Sequence, residues 1–249
     1  MTEEQHPFVD NLKQLLLNPE RLNMKEKKKH RATAIWDERY AGSDYIYGTE
    51  PNRYLKEQLA TLPAGRILLA GEGEGRNAVY AAGQGWQVSA FDISREGRKK
   101  AMLLADQQGV QIDYRVGELH ELDYETEPFD VIALIFTHFP EEERANIHKK
   151  LTEHLRPGGI IILEAFSKNH IQNQASNPNA GGPKERSMLI TPEDLKNDFA
   201  GFEILELKET ENHLSEGSHH NGFSALVRFT GRKRASAIAS HQGHSPLSS

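Results

Sequence analysis

Short apolar runs alternate with segments of helical character through the middle of the chain. The runs of strand length cover residues 66–70, 87–91, 112–116, 129–136 and 159–166. The last two are almost continuously apolar, which is typical of strands covered on both faces. The alternation predicts an α/β, doubly wound fold around a mostly parallel sheet.

The predicted helices carry recognisable end signals. Ser94 is a suitable N-cap for a helix that stops at Gly109. The segment 140–159 begins with acids and ends with Arg156 and a Pro-Gly-Gly stop, which suits the dipole of a helix. Residues 191–199 predict a short capped helix.

The pattern changes after Phe166. A polar stretch over 167–186 is followed by two further predicted strands, 202–209 and 222–231, joined by a polar segment that predicts a hairpin tip. That segment holds a cluster of polar side chains: His213, Glu216, His219 and His220. The cluster suits a metal site or a cap over a substrate, but polar side chains at such a tip are more often solvated, so we predict no metal site.

Both ends of the chain differ from its middle. We predict an N-terminal helical extension over 1–35, whose apolar part is 8–17, one domain over 36–232, and a disordered tail over 233–249 that lacks periodicity. A chain of 249 residues is long enough for one domain with a substantial core.

Charge and composition narrow the classes of function. The formal net charge is -6, so no global positive field favours nucleic acid or an anionic membrane. The basic run 25–31 is interpreted as a solvated helix face. The absence of cysteine excludes disulfides and thiolate sites. Without a signal sequence or an apolar stretch of spanning length, we expect a cytoplasmic protein.

A glycine-rich turn follows the first predicted strand and carries Gly71, Gly73 and Gly75. A dinucleotide fingerprint requires glycine where this chain has Arg76, so that match fails. The two carboxylates in the turn, Glu72 and Glu74, also disfavour a diphosphate. A cationic adenosine derivative without phosphate suits the turn better, and S-adenosylmethionine is such a ligand.

Asp92 ends the second predicted strand, at the edge of the sheet where ligands bind. A carboxylate there can accept hydrogen bonds from both ribose hydroxyls. Its alternative role is a turn former before the next helix. An acid at this position also fits a dinucleotide site, so Asp92 indicates adenosine binding without naming the cofactor.

Five motifs together resemble those of class I S-adenosylmethionine-dependent methyltransferases over about residues 36–232. They are ILLAGEGEGRNA, AFDIS, VGEL, FDVIALIF and LRPGGIIILEAF. Two further stretches, WDERYAGSDYIYGTEPN and GGPKERSML, look similar to TehB-like and thiopurine-methyltransferase-like enzymes, which act on small molecules.

The resemblance implies a seven-stranded sheet with an antiparallel last strand, S-adenosylmethionine as cofactor and S-adenosylhomocysteine as product. It implies cofactor contacts at the following residues: Gly71, Glu72, Gly73, Gly75, Arg76, Asp92, Ile93, Glu118, Leu119, Phe136 and Thr137. Leu69 stands where the family usually has an acid, so the methionine ammonium would bind to carbonyls or to another acid, with Glu72 or Glu74 as the candidates.

His138 follows the fourth strand and is a candidate general base, with a histidine satisfied at the sheet edge as the alternative. Four aromatic residues predict a lid by cation–π attraction, or else core packing: Trp36, Tyr40, Tyr45 and Tyr47. The Asn/Asp-Pro-Pro-aromatic string of nucleobase N-methyltransferases is missing, so we expect a small-molecule acceptor. The subfamily resemblance suggests a thiol or chalcogen compound.

Two other functions compete with methyl transfer: an NAD-dependent oxidoreductase, and a non-catalytic module that binds an adenosyl ligand. The oligomeric state is left open by the sequence.

Overall fold

Seven strands form one sheet in the computed structural model, which describes residues 19–121 and 128–235. The strands are β1 (Arg66–Ala70), β2 (Gln87–Asp92), β3 (Asp113–Val116), β4 (Phe129–Ile135), β5 (Leu155–Phe166), β6 (Phe202–Glu216) and β7 (His220–Lys233). Their order is β3-β2-β1-β4-β5-β7-β6. The first five strands pair in parallel, and β7 is antiparallel to β5 and β6. The predicted fold class is confirmed.

Helices connect these strands and cover the sheet. They are α1 (Pro19–Tyr40), α2 (Arg53–Leu59), α3 (Arg76–Gly83), α4 (Arg95–Gln107), α5 (Glu141–Glu153), α6 (His170–Ser176) and α7 (Pro192–Asp198). The hydroxyl of Ser94 accepts a hydrogen bond from Gly97 N, and Thr191 forms a capping box with Asp194. Both predicted caps are confirmed.

The core lies on both faces of the sheet because side chains alternate along each strand. In β1, Ile67 and Leu69 face one apolar cluster, to which α2, α3 and α4 contribute. Leu68 and Ala70 face the second, which includes side chains of α5 and α7. Double-sided burial explains why the central strands read as continuous apolar runs.

The β6–β7 hairpin is longer than predicted. Pairing continues to Glu216 and His220, which leaves a turn of residues 217–219 where the sequence predicted a long polar tip. The turn lies against the segment that follows α1, since Ser218 N donates to the carbonyl oxygen of Ile46 at 2.9 Å. Contact with another segment, rather than local apolar character, orders this tip.

Helix α1 runs through the predicted boundary between residues 35 and 36. Asp37 on α1 accepts hydrogen bonds from the Ser94 hydroxyl at 2.6 Å and from Arg95 N at 2.9 Å, so α1 docks on the start of α4. The predicted apolar segment 8–17 and residues 236–249 of the predicted tail lie outside the described residues. Within 19–121 and 128–235, no helix is both long and apolar enough to cross a membrane.

Candidate active site

The glycine turn lies between β1 and α3, at the carboxyl end of the parallel strands. Gly71, Gly73 and Gly75 all have positive φ, a conformation that glycine adopts without strain. A Cβ on Gly71 would lie 2.8 Å from the Thr137 hydroxyl, and one on Gly73 would lie 2.7 Å from the Tyr40 hydroxyl. The sequence predicted that a ligand approaches the backbone of this turn closely. The side chains of Thr137 and Tyr40 also do so.

Glu72 caps the helix that follows the turn. Its Oε1 accepts hydrogen bonds from Asn77 N at 2.8 Å and from Ala78 N at 2.7 Å, both in the first turn of α3. Burial raises the pKa of Glu72 to about 7, against these hydrogen bonds and the charge of Arg76, which lower it. The carboxylate is directed at the helix, so this geometry does not support Glu72 as partner of the ammonium.

Glu74 is also occupied within the fold. It forms an ion pair with Lys100 of α4 at 2.8 Å and accepts a hydrogen bond from Ile46 N at 2.9 Å. Its side chain is 2% exposed. The carboxylate fastens the segment after α1 to the glycine turn, which likewise gives no support to an ammonium contact.

Asp92 lies at the end of β2 beside the turn. Its Oδ2 accepts from Gly73 N at 3.0 Å and its Oδ1 from Ser94 N at 2.9 Å. Burial raises the pKa of Asp92 to about 6, although these hydrogen bonds lower it. Asp92 therefore stabilises the turn before α4, which is its alternative role, and it also lies beside the glycine turn, where a ribose contact was predicted.

Arg76 points away from the glycine turn. Its guanidinium forms an ion pair with Glu216 at 2.8 Å, and the two side chains are 8% and 13% exposed. Asn52 donates to Glu216 at 3.2 Å and to Glu164 at 2.6 Å, and Arg228 pairs with Glu164 at 2.6 Å. A buried polar network thus joins the segment before α2 to α3, β5 and the β6–β7 hairpin.

The backbone is strained where β4 ends. Among the non-glycine residues that the structure describes, only Phe136 has a positive φ, which is 54°. Strain of this kind persists only where surrounding structure enforces it, and it clusters at functional sites. Here Phe136 N donates to Glu164 O at 2.8 Å, and the Thr137 hydroxyl donates to Ala70 O at 2.7 Å. These bonds fix the end of β4 beside the end of β1.

Both ring nitrogens of His138 meet backbone groups. Nδ1 donates to Met188 O at 2.8 Å, and Nε2 accepts from Phe166 N at 3.4 Å. Burial lowers the pKa of His138 to about 4. The ring joins the segment 186–188 to the end of β5, and this geometry favours the structural alternative over the predicted base, which stays a prediction.

A chain of aromatic contacts crosses the carboxyl edge of the sheet. Trp36 stacks on Tyr40 with 5.5 Å between ring centroids, and Tyr40 lies 6.5 Å from Tyr47. Tyr47 lies 4.4 Å from His220, which lies 4.6 Å from Phe136. Three of the four predicted lid residues take part in this chain.

Tyr45 differs from the other predicted lid residues. Its hydroxyl donates to Lys100 O at 3.0 Å, and its ring lies under the Lys100 ammonium. It packs on α4, which corresponds to the core-packing alternative.

The predicted adenine contacts lie after β3. Glu118 and Leu119 are half-buried, as is Ile93 after β2. Lys29 of α1 forms an ion pair with Glu121, so α1 is attached to this end of the site as well. The predicted cofactor residues therefore line the ends of β1 to β4, although Glu72, Glu74 and Arg76 direct their side chains elsewhere.

The hairpin cluster divides into two kinds of residue. His213 and His219 are exposed, while His220 is 6% exposed and Glu216 is partly buried. No group of three or more potential metal ligands exists among residues 19–121 and 128–235. The interpretation of the whole cluster as solvated was wrong for Glu216 and His220, because the tip folds onto Ile46 and Gly48. The sequence shows the spacing of Glu216 and His220 and their chemistry, but it does not show the contact of the hairpin tip with Ile46 and Gly48.

The surroundings of the turn fit a cationic adenosyl cofactor. The neighbouring cations Arg76 and Lys100 both lie in ion pairs and so offer no free charge to a diphosphate. The Asp92 carboxylate and the Tyr40 hydroxyl both lie beside Gly73, and a chain of ring contacts runs from Tyr40 to Phe136. Carboxylates and aromatic faces attract cations, which suits a sulfonium.

Known proteins are similar to this chain over part of its length. Residues 67–159 match the family model of the methyltransferase domain. The chain is 29% identical over 141 residues to a ubiquinone biosynthesis O-methyltransferase of Xylella fastidiosa strain 9a5c, covering 55% of this chain and 56% of that protein. A protein with the same name from Maricaulis maris is 35% identical over 107 residues, 41% of each chain. The chain spans about half the length of such relatives or less.

Solved structures share the fold. One from work on the conversion of a disulfide bond into a thioacetal group during echinomycin biosynthesis has a TM-score of 0.66 at 21% identity, covering 82% of this chain and 92% of that one. TehB from Haemophilus influenzae has a TM-score of 0.59 at 16% identity, covering 81% and 67%. The magnesium protoporphyrin IX methyltransferase of Synechocystis PCC 6803, with bound S-adenosylhomocysteine, has a TM-score of 0.60 at 16% identity, covering 82% and 99%.

Residues 67–159 thus match a methyltransferase domain model, and the seven-stranded sheet with its antiparallel β7 is the one that the resemblance to class I methyltransferases implied. S-adenosylmethionine is the cofactor of that class, as the predicted motifs implied.

Proposed function

We propose that this protein transfers a methyl group from S-adenosylmethionine to a small-molecule acceptor. When bound, the cofactor supplies an electrophilic methyl group on a sulfonium. The backbone of Gly71–Gly75 would hold the methionine part, Asp92 and Ile93 the ribose, and Glu118 with Leu119 the adenine.

The observation that carries this proposal is the aromatic enclosure at the strained end of β4. Phe136 stacks on Phe166 at 4.8 Å, and His220 lies against both rings. Tyr47 covers His220 from the segment after α1. Aromatic rings gathered in this way would shield the transferred methyl group from water and help to align it with an apolar acceptor, which is what an in-line displacement needs.

Two observations narrow the chemical class of the acceptor. The relatives are named as O-methyltransferases, which favours a hydroxyl acceptor. The similarity to TehB and the apolar aromatic walls are compatible with the predicted thiol or chalcogen acceptor. An apolar hydroxyl or thiol compound is therefore the acceptor class to test first.

The competing function as an NAD-dependent oxidoreductase has less support. Arg76, which stands where a dinucleotide fingerprint requires glycine, forms an ion pair with Glu216, and Lys100 forms one with Glu74. Neither of these two cations beside the turn is therefore free to bind a diphosphate. Calorimetric titration separates the two functions. We expect S-adenosylhomocysteine to bind at least about 100-fold more tightly than NAD, and tighter binding of NAD would reject methyl transfer.

Turnover distinguishes an enzyme from a non-catalytic adenosyl-binding module. The protein is incubated with S-adenosylmethionine and a panel of apolar phenols, thiols and selenols, and S-adenosylhomocysteine release is measured. We expect release that depends on one chemical class of acceptor. Tight cofactor binding without release across the panel would favour the non-catalytic module.

A further inference from the structure

His220 and Glu216 face each other across the tip of the β6–β7 hairpin. They are paired in the register of the two strands, and His220 Nδ1 donates to Glu216 Oε2 at 3.5 Å. The His220 ring is 6% exposed and lies 4.6 Å from Phe136 and 5.2 Å from Phe166. The pair therefore belongs to the aromatic enclosure rather than to the protein surface.

Glu216 is held firmly as a charged acceptor. Arg76 pairs with its Oε2 at 2.8 Å, and Asn52 donates to its Oε1 at 3.2 Å. Burial raises the pKa of Glu216, but the hydrogen bond from His220 and the charge of Arg76 lower it to about 2. A carboxylate at this place keeps the proton of His220 on Nδ1, which leaves the lone pair of a neutral ring on Nε2.

The Nε2 edge of His220 faces the backbone of Gly181 and not a polar side chain. Nε2 has no hydrogen-bond partner in the part of the chain that the structure describes. Gly181, with φ +83°, lies beside it, and a Cβ there would be 3.2 Å from Nε2. In His138, by contrast, both ring nitrogens meet backbone groups.

We propose that His220, oriented by Glu216, accepts the proton of the methyl acceptor. This inference rests on the methyl transfer proposed above. The acceptor's oxygen or sulfur forms its bond to the methyl carbon while the bond from that carbon to the sulfonium breaks and leaves its electron pair on sulfur. The acceptor's proton moves to Nε2, and the Glu216 carboxylate stabilises the resulting imidazolium. Glu216 is then a positioning residue.

Several titratable or charged groups face His220. They are Glu216 on β6, Arg76 on α3, His219 in the turn, Tyr47 after α1 and His138 after β4. Burial lowers the pKa of His220, opposed by Glu216 and aided by Arg76 and His219. The lowered pKa favours the neutral ring, which is the form that can accept a proton.

The tautomer of His220 tests the proposal without any acceptor. Two-bond ¹H–¹⁵N correlation spectra are recorded on the full-length protein saturated with S-adenosylhomocysteine at pH 7.5, with His220→Gln for assignment. We expect a proton on Nδ1 and none on Nε2. A proton on Nε2 overturns the proposal. Failure of the wild type to bind S-adenosylhomocysteine would instead reject the proposed function.

Kinetics with two probe acceptors test the role itself. Catechol must lose a proton during transfer, whereas thiophenol is largely ionised at pH 8. We expect His220→Phe to lower kcat/KM for catechol by about 10²–10⁴-fold, to affect thiophenol by less than about tenfold, and to leave S-adenosylhomocysteine affinity within about twofold. Equal losses for both probes, or retained catechol turnover, overturn the proposal; if neither probe is methylated, the tautomer decides.

Two variants complete the experiment. Glu216→Gln removes the charge that favours the imidazolium, so we expect the acid limb of the pH profile for kcat/KM to move to lower pH, with a plateau lowered about tenfold. A merely structural role would lower the plateau without moving the limb. His213→Gln is the matched control, because His213 is an exposed histidine of the same hairpin.

Discussion

At the residue scale, the acids around the glycine turn hold the fold together. Glu72 caps α3, Glu74 fastens the segment after α1, and Asp92 binds the amide of Gly73. A buried carboxylate is costly unless it is hydrogen-bonded, and each of these has backbone partners. Among these three acids, the family resemblance assigns Asp92 to the ribose. Asp92 lies at the end of β2 and faces the glycine turn.

Asp92 gives the first prediction. Asp92→Asn should weaken S-adenosylhomocysteine binding by about 1.5–3 kcal/mol, because an amide cannot replace a charged acceptor for ribose hydroxyls and for Gly73 N. Since the pKa of Asp92 is raised to about 6, wild-type affinity should fall as pH drops below about 6, whereas that of the variant should not. Isothermal titration calorimetry measures both. Asp113→Asn, at an exposed acid, is the control, and unchanged affinity of Asp92→Asn would remove this residue from the site.

At the element scale, two segments close over the carboxyl edge of the sheet. Helix α1 is joined to α4 by Asp37 and to the segment after β3 by Lys29. The β6–β7 hairpin is joined to the segment after α1 by its turn. Neither element could be placed from its own sequence, because polar contacts with distant segments hold both of them.

Removal of the Asp37 carboxylate should loosen α1. Asp37→Ala deletes the acceptor for the Ser94 hydroxyl and for the first amides of α4. Hydrogen bonds to a charged group are worth about 1.5–3 kcal/mol. We therefore expect amide hydrogen exchange in residues 26–40 to accelerate by about 10–100-fold. Mass spectrometry of exchanged peptides reports this. Glu38→Ala, one residue further along and exposed, should leave exchange unchanged; equal acceleration in both variants would contradict this role of Asp37.

The hairpin turn gives a prediction from sterics. Gly217 has φ +64°, and a Cβ there would collide with the Ile46 carbonyl oxygen. We expect Gly217→Ala to lower the free energy of unfolding by about 1–3 kcal/mol through backbone strain and displacement of the tip. Urea unfolding followed by circular dichroism measures the loss. Gly201→Ala is the control, since a Cβ there meets nothing within 4 Å; a neutral Gly217→Ala would show that the tip is not held as described.

At the scale of the whole molecule, the sheet places all of these groups at one edge. The carboxyl ends of β1, β2 and β4 meet there, and the antiparallel β7 returns the hairpin tip to the same edge. The buried carboxylates of Glu72 and Asp92 are a consequence of this convergence. Both have raised pKa values, so the protonation of the site is linked to the stability of the whole domain.

The pH dependence of stability follows from Glu72. Its pKa in the folded state, about 7, lies above the ordinary value of 4.5, so the folded state binds a proton that the unfolded state has lost. The Glu72 contribution to stability therefore falls as pH rises from about 4.5 to 7, by up to about 3 kcal/mol. Relative to wild type, Glu72→Gln should gain that amount over this range in urea unfolding. Glu142→Gln, at an exposed acid, should show no such gain, and a gain of equal size there would refute the assignment.

Local signals determined the elements and the class of this protein. Alternation of apolar residues gives the strands, Ser94 and Thr191 give helix starts, and the glycine turn with Asp92 indicates an adenosine site, because each signal acts within a few residues along the chain. The tertiary structure alone decided the partners of the charged side chains. Asn52 meets Glu164 across 112 residues, and Arg76 meets Glu216 across 140. Such pairs depend on how distant strands are ordered in the sheet, which no local pattern encodes, and the contact of His220 with Phe136 is of the same kind.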